Sequence, residues 1–181
     1  MAKALHEKCQ DSTWVFGYGS LIYKVDFPYL EREEAALEGW ERRFWQGSHD
    51  HRGTPEAPGR VVTLIPVAGA RCKGVAYRVE HEVFEHLDHR EKNGYERHRV
   101  ELEFHPSGIG AEGVVYIAPV DNFAYLGPAP LAEMASQIHR SAGPSGRNLE
   151  YLLELADALR NLDADDEHVF ELEAAVRALS A

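Results

Sequence analysis

A change in hydrophobic periodicity near residue 130 limits what this chain can fold into more than any other feature. Before that point apolar residues form short β-type runs, and residues 97–104 alternate between mostly apolar and charged side chains, as in a half-buried antiparallel strand. Beyond it, Leu131, Met134 and Ile138 follow the spacing of one helix face. Strands followed by helices predict an α+β fold, in which helices pack on a barrel-like or strongly twisted sheet.

Further segments fit the same division. β-type runs cover residues 35–46, bent at Gly39, and residues 61–66, 75–79 and 113–118. Two more helical stripes contain Leu149, Leu152, Leu153, Ala156 and Leu159, and then Val169, Leu172, Val176 and Leu179. Residues 1–12 are polar and aperiodic, so we expect a loose N-terminal tail followed by a single domain over residues 13–181.

The charge balance and the apolar segments limit the partners. A formal net charge of −11 over 181 residues argues against a nucleic-acid partner, because a phosphate backbone would be repelled. No segment has the ~18 apolar residues of a membrane span, and the N-terminus lacks the apolar core of a signal peptide. Cys9 and Cys72 lack the spacing of a metal site. These features predict a cytoplasmic protein with reduced thiols and no membrane partner.

The stretch from Trp14 to Tyr23 combines an apolar, aromatic run with two glycines. Its first half is typical of a buried strand. Gly17 and Gly19 then flank Tyr18, and we expect them to turn the backbone with positive φ and to let a ligand approach the main chain. Successive N–H groups in such a turn form a small concavity that binds an anion or a carbonyl. An ordinary glycine turn at the end of a strand explains the same pattern.

A carboxylate occupies an unexpected position on the helix predicted for residues 81–91. Phe84 and Leu87 mark its buried face, and Glu91 falls on the same stripe. Burial and the C-terminal end of the helix dipole both disfavour the ionised form, which suits a group that takes and returns a proton near neutral pH. In the structural alternative, the carboxylate pairs with a nearby cation: Arg90, Lys92 or Arg97.

Other catalytic chemistries have weaker support. The histidine pairs His49/His51 and His86/His89 do not match a zinc-binding pattern, so no metal is expected. Ser20 lies outside any Gly-x-Ser-x-Gly elbow and has no assignable Asp–His pair, so we do not expect it to be a nucleophile.

Several separate motifs, taken in their order along the chain, resemble one known family. They are Tyr18-Gly19-Ser20-Leu21, Trp45-Gln46-Gly47-Ser48, Asp50-His51-Arg52-Gly53-Thr54-Pro55, Asp88 to Tyr95, Tyr125-Leu126-Gly127-Pro128 and Gly143-Pro144-Ser145-Gly146. On these motifs, from Trp14 to about Leu155, the chain resembles the ChaC-like family of glutathione-specific γ-glutamylcyclotransferases. The resemblance implies the family's fold, a small β-barrel with packed helices.

The resemblance also implies an activity and the residues for it. The family cleaves glutathione to 5-oxoproline and cysteinylglycine, without a metal or a cofactor. Its catalytic acid/base glutamate lies in an arginine-glutamate-lysine motif, so that role falls on Glu91. Its γ-glutamyl-binding loop falls on Tyr18, Gly19, Ser20 and Leu21. Two further residues match positions linked to activity or substrate contact: Glu82 and Tyr125.

Three interpretations of the function stay open in the sequence. The first is a cytoplasmic enzyme that degrades glutathione, and the second is a cyclotransferase for other γ-glutamyl amines or γ-glutamyl amino acids. The third is a non-catalytic binding or regulatory protein on the same fold, although Glu91 on an inward stripe favours an enzyme. Three arginines are candidate cations for the substrate carboxylates, and the sequence does not rank them: Arg52, Arg60 and Arg71.

Overall fold

Within residues 12–90 and 94–181, which the computed structural model describes, five strands form a closed barrel. The strands are β1 (Ser12–Gly17), β2 (Glu31–Ser48), β3 (Gly59–Glu80), β4 (Glu96–Phe104) and β5 (Gly110–Ile117). Their order around the barrel is β1-β3-β2-β4-β5, and a parallel pairing of β5 with β1 closes it. Residues 1–11 of the predicted tail lie outside the described residues, and Ser12 is the first residue of β1.

The helices follow the order that the sequence predicts. The helices of the described residues are α1 (His81–Arg90), α2 (Leu131–Arg140), α3 (Asn148–Asn161) and α4 (Glu167–Leu179). Helix α1 connects β3 to β4, whereas α2, α3 and α4 follow the barrel strands and pack on one another and on β2 and β3. A small hairpin of β6 (Ala142–Gly143) and β7 (Gly146–Arg147) joins α2 to α3. The predicted α+β fold is confirmed.

The long antiparallel pair of β2 and β3 is the frame of the barrel. The bent strand predicted over residues 35–46 is confirmed as the middle part of β2. Its register with β3 shifts between Glu38 and Trp40, and Gly39 between them has a φ of +83°. Glycine suits this backbone conformation because it has no Cβ. The first half of β2 also pairs with β4, so the bend lets one strand contribute to two parts of the barrel wall.

The prediction of two short strands over residues 61–66 and 75–79 is wrong, because the structure has one strand, Gly59–Glu80. Both halves of this strand pair with β2, and the pairing skips residues 67–70. Gly69, with a φ of +81°, lies in the skipped segment. It therefore forms an irregularity within a continuous strand instead of a turn between two strands.

The helical stripes agree with the sequence except at four positions. Leu131, the first residue of α2, is exposed. In α3 the face toward the core consists of residues 148, 151, 152, 155, 156 and 159. Leu155 is therefore fully buried, whereas Leu149 and Leu153, which the sequence analysis placed on the stripe, are half-buried. Leu179 is exposed because it is the last residue of α4 and lies beyond the core contacts of that helix. Among the described residues, no helix combines the length and the apolar character needed to cross a membrane.

His168 joins α4 to β2 as a hydrogen-bond acceptor. Its Nε2 accepts from the N–H of Phe44 at 3.0 Å, which requires a neutral ring. Burial, and next the positive charge of Arg43, lower the pKa of this ring from an ordinary 6.5 to about 4. The unfolded chain therefore takes up this proton at a higher pH than the folded protein does, so stability falls when the pH is lowered through this range.

We expect His168 to lower the free energy of unfolding by about 3 kcal/mol between pH 6.5 and pH 4. The stabilisation is complete above pH 6.5 and is lost as the pH approaches 4. Denaturant unfolding at a series of pH values measures the slope. His168→Gln keeps an acceptor without the titration and should flatten the slope, whereas His139→Gln should retain it. Equal slopes for the wild type and His168→Gln would contradict this assignment.

Candidate active site

A cavity of about 320 Å³ opens where β1 and β2 end and β3 begins. The turn after β1, the loop after β2 and helix α3 meet around it. Its lining residues are Phe16, Gly17, Tyr18, Gly19, Ser20, Leu21, Lys24, Asp26, Gly47, Ser48, Asp50, His51, Arg52, Val61, Val62, Tyr95, Tyr116, Ser145 and Tyr151. Of the residues predicted to bind substrate, the cavity brings together Tyr18, Gly19, Ser20 and Leu21.

The turn formed by residues 18–21 has every carbonyl oxygen occupied by a donor of the protein. It continues into a short 3₁₀ turn, Ser20–Ile22. The four donor–acceptor pairs are Arg42 Nε to Tyr18 O at 2.6 Å, Ile22 N to Gly19 O at 3.0 Å, Lys24 N to Ser20 O at 2.7 Å and Tyr77 Oη to Leu21 O at 2.6 Å. Because each carbonyl is held, the peptide planes of the turn have fixed directions.

The N–H groups of the same turn are arranged differently. Those of Gly19, Ser20 and Leu21 donate to no acceptor within the described part of the chain. All three residues line the cavity. A buried or half-buried N–H group normally has a partner, so three successive donors beside a cavity are suited to a negatively charged or carbonyl oxygen of a ligand.

Gly17 and Gly19 are needed for close packing, and the expectation that they have positive φ is wrong. Neither lies in that region, and φ of Gly19 is −126°. A Cβ on Gly17 would lie 2.7 Å from Cβ of Leu21, and a Cβ on Gly19 would lie 2.8 Å from a methyl of Val62. The turn folds back on its own strand and on β3, so only glycine leaves room at both positions.

Tyrosine hydroxyls connect the cavity wall to the strands around it. Tyr18 Oη donates to the Tyr116 carbonyl oxygen at 2.6 Å, and Tyr95 Oη donates to the Val62 carbonyl oxygen at 3.2 Å. The N–H of Val62 in turn donates to Tyr151 Oη at 3.2 Å. These bonds fix the aromatic rings that surround the cavity.

Glu91, the predicted catalytic residue, lies outside the described residues, and its role stays a prediction. The described residues before it and after it both contact the cavity wall. Asp88 on α1 accepts a hydrogen bond from Tyr116 Oη at 2.7 Å, and Tyr95 lines the cavity. Arg97, one of the cations considered as a partner for Glu91, pairs with Asp88 at 2.8 Å.

A part-buried amide pair lies against Gly94, the first described residue after this segment. Gln46 and Asn122 exchange two side-chain hydrogen bonds, at 3.0 and 2.9 Å. Gly94 has a φ of +98°, and a Cβ on it would lie 2.8 Å from Oδ1 of Asn122. At Gly94 the chain therefore passes directly over this amide pair, where only glycine fits.

Glu82 and Tyr125 are not among the described residues that line the cavity. Glu82 is exposed in the first turn of α1, where a carboxylate is favoured by the helix dipole. Tyr125 is half-buried, and its backbone forms a bridge with Gln46 at the end of β2. Burial raises the pKa of the Tyr125 hydroxyl. Their predicted roles in activity or substrate contact stay predictions.

Two cations line the cavity among the described residues, and one of them, Arg52, is a candidate from the sequence. Arg52 is largely buried, its Nη1 donates to the Arg147 carbonyl oxygen at 3.1 Å, and its guanidinium lies 5.7 Å from the centre of the Tyr151 ring. Nη1 also lies 3.9 Å from the exposed carboxylate of Glu150. The second cation is Lys24, which is exposed.

Arg60 and Arg71, the other candidate cations, are not among the described residues that line the cavity. Arg60 is buried, its Nε donates to Gln137 at 2.7 Å, and its Nη1 donates to two backbone carbonyls. Arg71 pairs with Glu38 at 2.6 Å and with Glu103 at 3.1 Å on the outside of the barrel. The sequence does not show which of the three arginines lines the cavity, because each contacts residues that are distant along the chain.

Sequence reasoning gave no role to several other residues of the cavity. His51 Nδ1 lies 3.0 Å from Ser145 Oγ, although 94 positions separate the two residues. Asp26, Asp50 and Tyr151 also line the cavity. His51 and Ser145 lie in motifs that carry the family resemblance, and this is the sequence signal that could have indicated a role for them.

Among the described residues, the structure shows neither a metal-binding group nor an exposed thiol. Within them, no group of three or more His, Cys, Asp or Glu side chains is placed to hold a metal ion. Cys72 is a buried free cysteine, and burial raises the pKa of its thiol.

Comparison with known proteins gives consistent results. The family model described as ChaC-like protein matches residues 13–179. A Danio rerio protein named glutathione-specific γ-glutamylcyclotransferase 1 is 44% identical over 180 residues, which cover 93% of this chain and 91% of that protein. An Arabidopsis thaliana protein named γ-glutamylcyclotransferase 2-3 is 45% identical over 175 residues, which cover 91% of this chain and 88% of that protein.

A solved structure agrees in fold. It is described as the crystal structure of a selenomethionine-labelled γ-glutamyl cyclotransferase specific to glutathione from yeast. It matches this chain with a TM-score of 0.86 and 35% identity, and the match covers 93% of this chain and 96% of that one. The predicted small β-barrel with packed helices is confirmed.

The packing around Gly17 predicts the effect of a single methyl group. Gly17→Ala places a Cβ against Leu21, so we expect the free energy of unfolding to fall by about 1–3 kcal/mol. Gly110→Ala is a matched control, because the nearest atom to its Cβ would lie 3.8 Å away. Its effect should stay within about 0.5 kcal/mol. Denaturant unfolding of both variants measures the difference, and equal stabilities would contradict the packing described for the turn.

Proposed function

Because the chain belongs to the ChaC-like protein family, we propose that it is a glutathione-specific γ-glutamylcyclotransferase. The observation that carries this proposal is the similarity, over nearly the whole chain, to proteins that bear that name. In the reaction, the α-amino nitrogen of glutathione attacks the γ-carbonyl carbon of the same molecule, and the new C–N bond closes the ring of 5-oxoproline. The C–N bond to the cysteine residue breaks, and cysteinylglycine leaves with a free amine.

The protein supplies neither a nucleophile nor a water molecule to this reaction, so its main task is to fold the substrate. Well-aligned intramolecular reactions correspond to an effective concentration of about 10⁵–10⁸ M. A cavity of about 320 Å³ is of the size that encloses a small ligand. The fixed aromatic rings of its wall support a role in holding the γ-glutamyl group in its cyclising shape.

The turn of residues 18–21 supports stabilisation of the oxyanion. As the amine attacks, negative charge develops on the γ-carbonyl oxygen. The three N–H groups of Gly19, Ser20 and Leu21 are held in place and have no acceptor within the described residues. A preorganised donor of this kind contributes roughly 3–4 kcal/mol to catalysis. In this role the turn acts through its main chain, and Ser20 Oγ forms no bond to the substrate.

Glu91 is the proposed acid and base. The attacking α-ammonium nitrogen loses two protons as it becomes the lactam N–H. The carboxylate passes one of them to the leaving nitrogen, which departs as a free amine, and the other goes to solvent, so the step needs no cofactor. Support comes from the resemblance of Arg90-Glu91-Lys92 to the family motif and from the neighbouring contacts of Asp88 and Tyr95 with the cavity wall.

The two cations at the cavity are suited to the two carboxylates of glutathione. Nε and Nη2 of Arg52 have no acceptor among the described residues, and the planar guanidinium matches a carboxylate. Lys24 forms no ion pair within the described part of the chain. We propose Arg52 as the first carboxylate-binding residue and Lys24 as the second.

A wider substrate range is the second candidate. The name of the A. thaliana relative specifies no substrate. That protein is as similar to this chain as the D. rerio protein is. Turnover of γ-glutamylalanine with an efficiency comparable to that of glutathione would favour a general γ-glutamylcyclotransferase.

The proposal also includes a cellular setting and a domain boundary. We propose a cytoplasmic location, which the free thiol of Cys72 supports because reducing compartments keep cysteines unpaired. We propose that residues 13–181 form one domain, which the extent of the family match supports.

We expect the purified protein to convert glutathione to 5-oxoproline and cysteinylglycine, as measured by chromatography of both products. Glu91→Gln keeps the size of the side chain and removes its basicity, so it should lower kcat by at least about 100-fold. Ser20→Ala is the matched control and should retain substantial activity. A wild-type protein without turnover, or equal rates for Glu91→Gln and the wild type, would contradict the proposed function. Loss of all activity in a folded Ser20→Ala would contradict the main-chain role of the turn.

A further inference from the structure

We propose that Arg42 is a positioning residue, which sets the direction of the Gly19 N–H group at the active site and makes it depend on helix α4. Its effect on catalysis rests on the proposed function, whereas its effect on the turn does not. The chain of contacts runs from Asp166, at the start of α4, through the Arg42 guanidinium to the Tyr18 carbonyl oxygen.

The guanidinium of Arg42 is buried and has an acceptor for each of its three nitrogens. Its Nε donates to the Tyr18 carbonyl oxygen at 2.6 Å, its Nη1 to Asp166 Oδ2 at 2.6 Å and its Nη2 to the Lys73 carbonyl oxygen at 2.5 Å. The residue is only 2% exposed. A buried cation needs both a counter-charge and hydrogen-bond acceptors, so the position of this group is strongly determined.

The contact with Tyr18 fixes the donor of the next residue. The carbonyl of Tyr18 and the N–H of Gly19 belong to one planar peptide unit, and in a trans peptide they point in opposite directions. Holding the carbonyl therefore holds the N–H. The following two peptide units are held within the segment itself, by the N–H groups of Ile22 and Lys24. The first peptide unit of the turn instead depends on Arg42, which comes from β2.

Asp166 makes two hydrogen-bond contacts, which together connect Arg42 to α4. Its Oδ1 accepts from the N–H of Val169 at 3.1 Å and caps the helix, while its Oδ2 receives Arg42. The carboxylate is 13% exposed, so solvent screens this ion pair only weakly. The first turn of α4 is consequently coupled to the substrate-binding turn, although no residue of α4 is among the described residues that line the cavity.

Three variants separate positioning from general stability. Arg42→Lys keeps the charge for Asp166 but lacks the Nε that donates to Tyr18 and the planar group that spans all three acceptors. Asp166→Asn keeps a helix cap but removes the counter-charge. Glu173→Gln is the matched control. Glu173 is also a buried carboxylate of α4, it pairs with two arginines, and it does not line the cavity. We expect all three variants to unfold at lower temperature than the wild type.

Hydrogen exchange tests the turn directly and does not require activity. The amides of Ile22, Tyr23 and Lys24 close the turn through bonds to Gly19 and Ser20, and their exchange is measured by NMR at a fixed interval below each melting temperature. Arg42→Lys should speed their exchange about tenfold or more, with a smaller change for Asp166→Asn and none for Glu173→Gln. Equal exchange in Arg42→Lys and Glu173→Gln would overturn the proposal.

Glutathione kinetics test the consequence for catalysis. A misdirected donor weakens the transition state more than the ground state, so Arg42→Lys should lower kcat about tenfold or more with little change in KM. Glu173→Gln should retain the wild-type kcat. Wild-type kcat in Arg42→Lys would overturn the catalytic part of the proposal. If the wild type itself shows no turnover, the proposed function fails, and the exchange data still decide whether Arg42 holds the turn.

Discussion

The direction of three N–H groups at the end of β1 depends on donors that hold the carbonyl oxygens of the same turn. Arg42 reaches the first of these carbonyls from β2, and the N–H groups of Ile22 and Lys24 hold the next two. Tyr77 reaches the Leu21 carbonyl from β3 and holds the end of the turn. The barrel places both strands beside the end of β1, because β3 pairs with β1 on one side and with β2 on the other. The strand order thus determines which side chains can hold the turn, and the turn places three N–H groups beside the cavity.

The net charge of the protein also bears on how the cavity binds a charged substrate. The chain carries a formal net charge of −11, and glutathione has two carboxylates against one ammonium group. The overall field therefore opposes binding, and local groups at the cavity have to offset it. The turn provides three N–H donors, and Arg52 and Lys24 provide two positive charges. The buried Arg42 contributes to the same end indirectly, since its charge is neutralised by Asp166 and its main effect is on geometry.

The sequence predicts the local features of this molecule better than its long-range contacts. The alternation of residues 97–104 and the helical spacing after residue 130 identify strands and helices, because periodicity reports which face is buried. The glycine pair marks the turn, although its need for close packing depends on Leu21 and Val62 and is not visible in the sequence. Arg42 gives no sequence signal, since its partner Asp166 lies 124 positions away. The continuity of β3 across Gly69 was missed for the same reason, because it depends on pairing with β2.

In the proposed mechanism, the main chain of the turn binds the reacting carbonyl. A crystal structure of Glu91→Gln with uncleaved glutathione tests it most directly. We expect the γ-carbonyl oxygen to lie within about 3.1 Å of the backbone nitrogen of Gly19, Ser20 or Leu21. A γ-glutamyl group bound in the cavity with this oxygen directed away from all three nitrogens would contradict it.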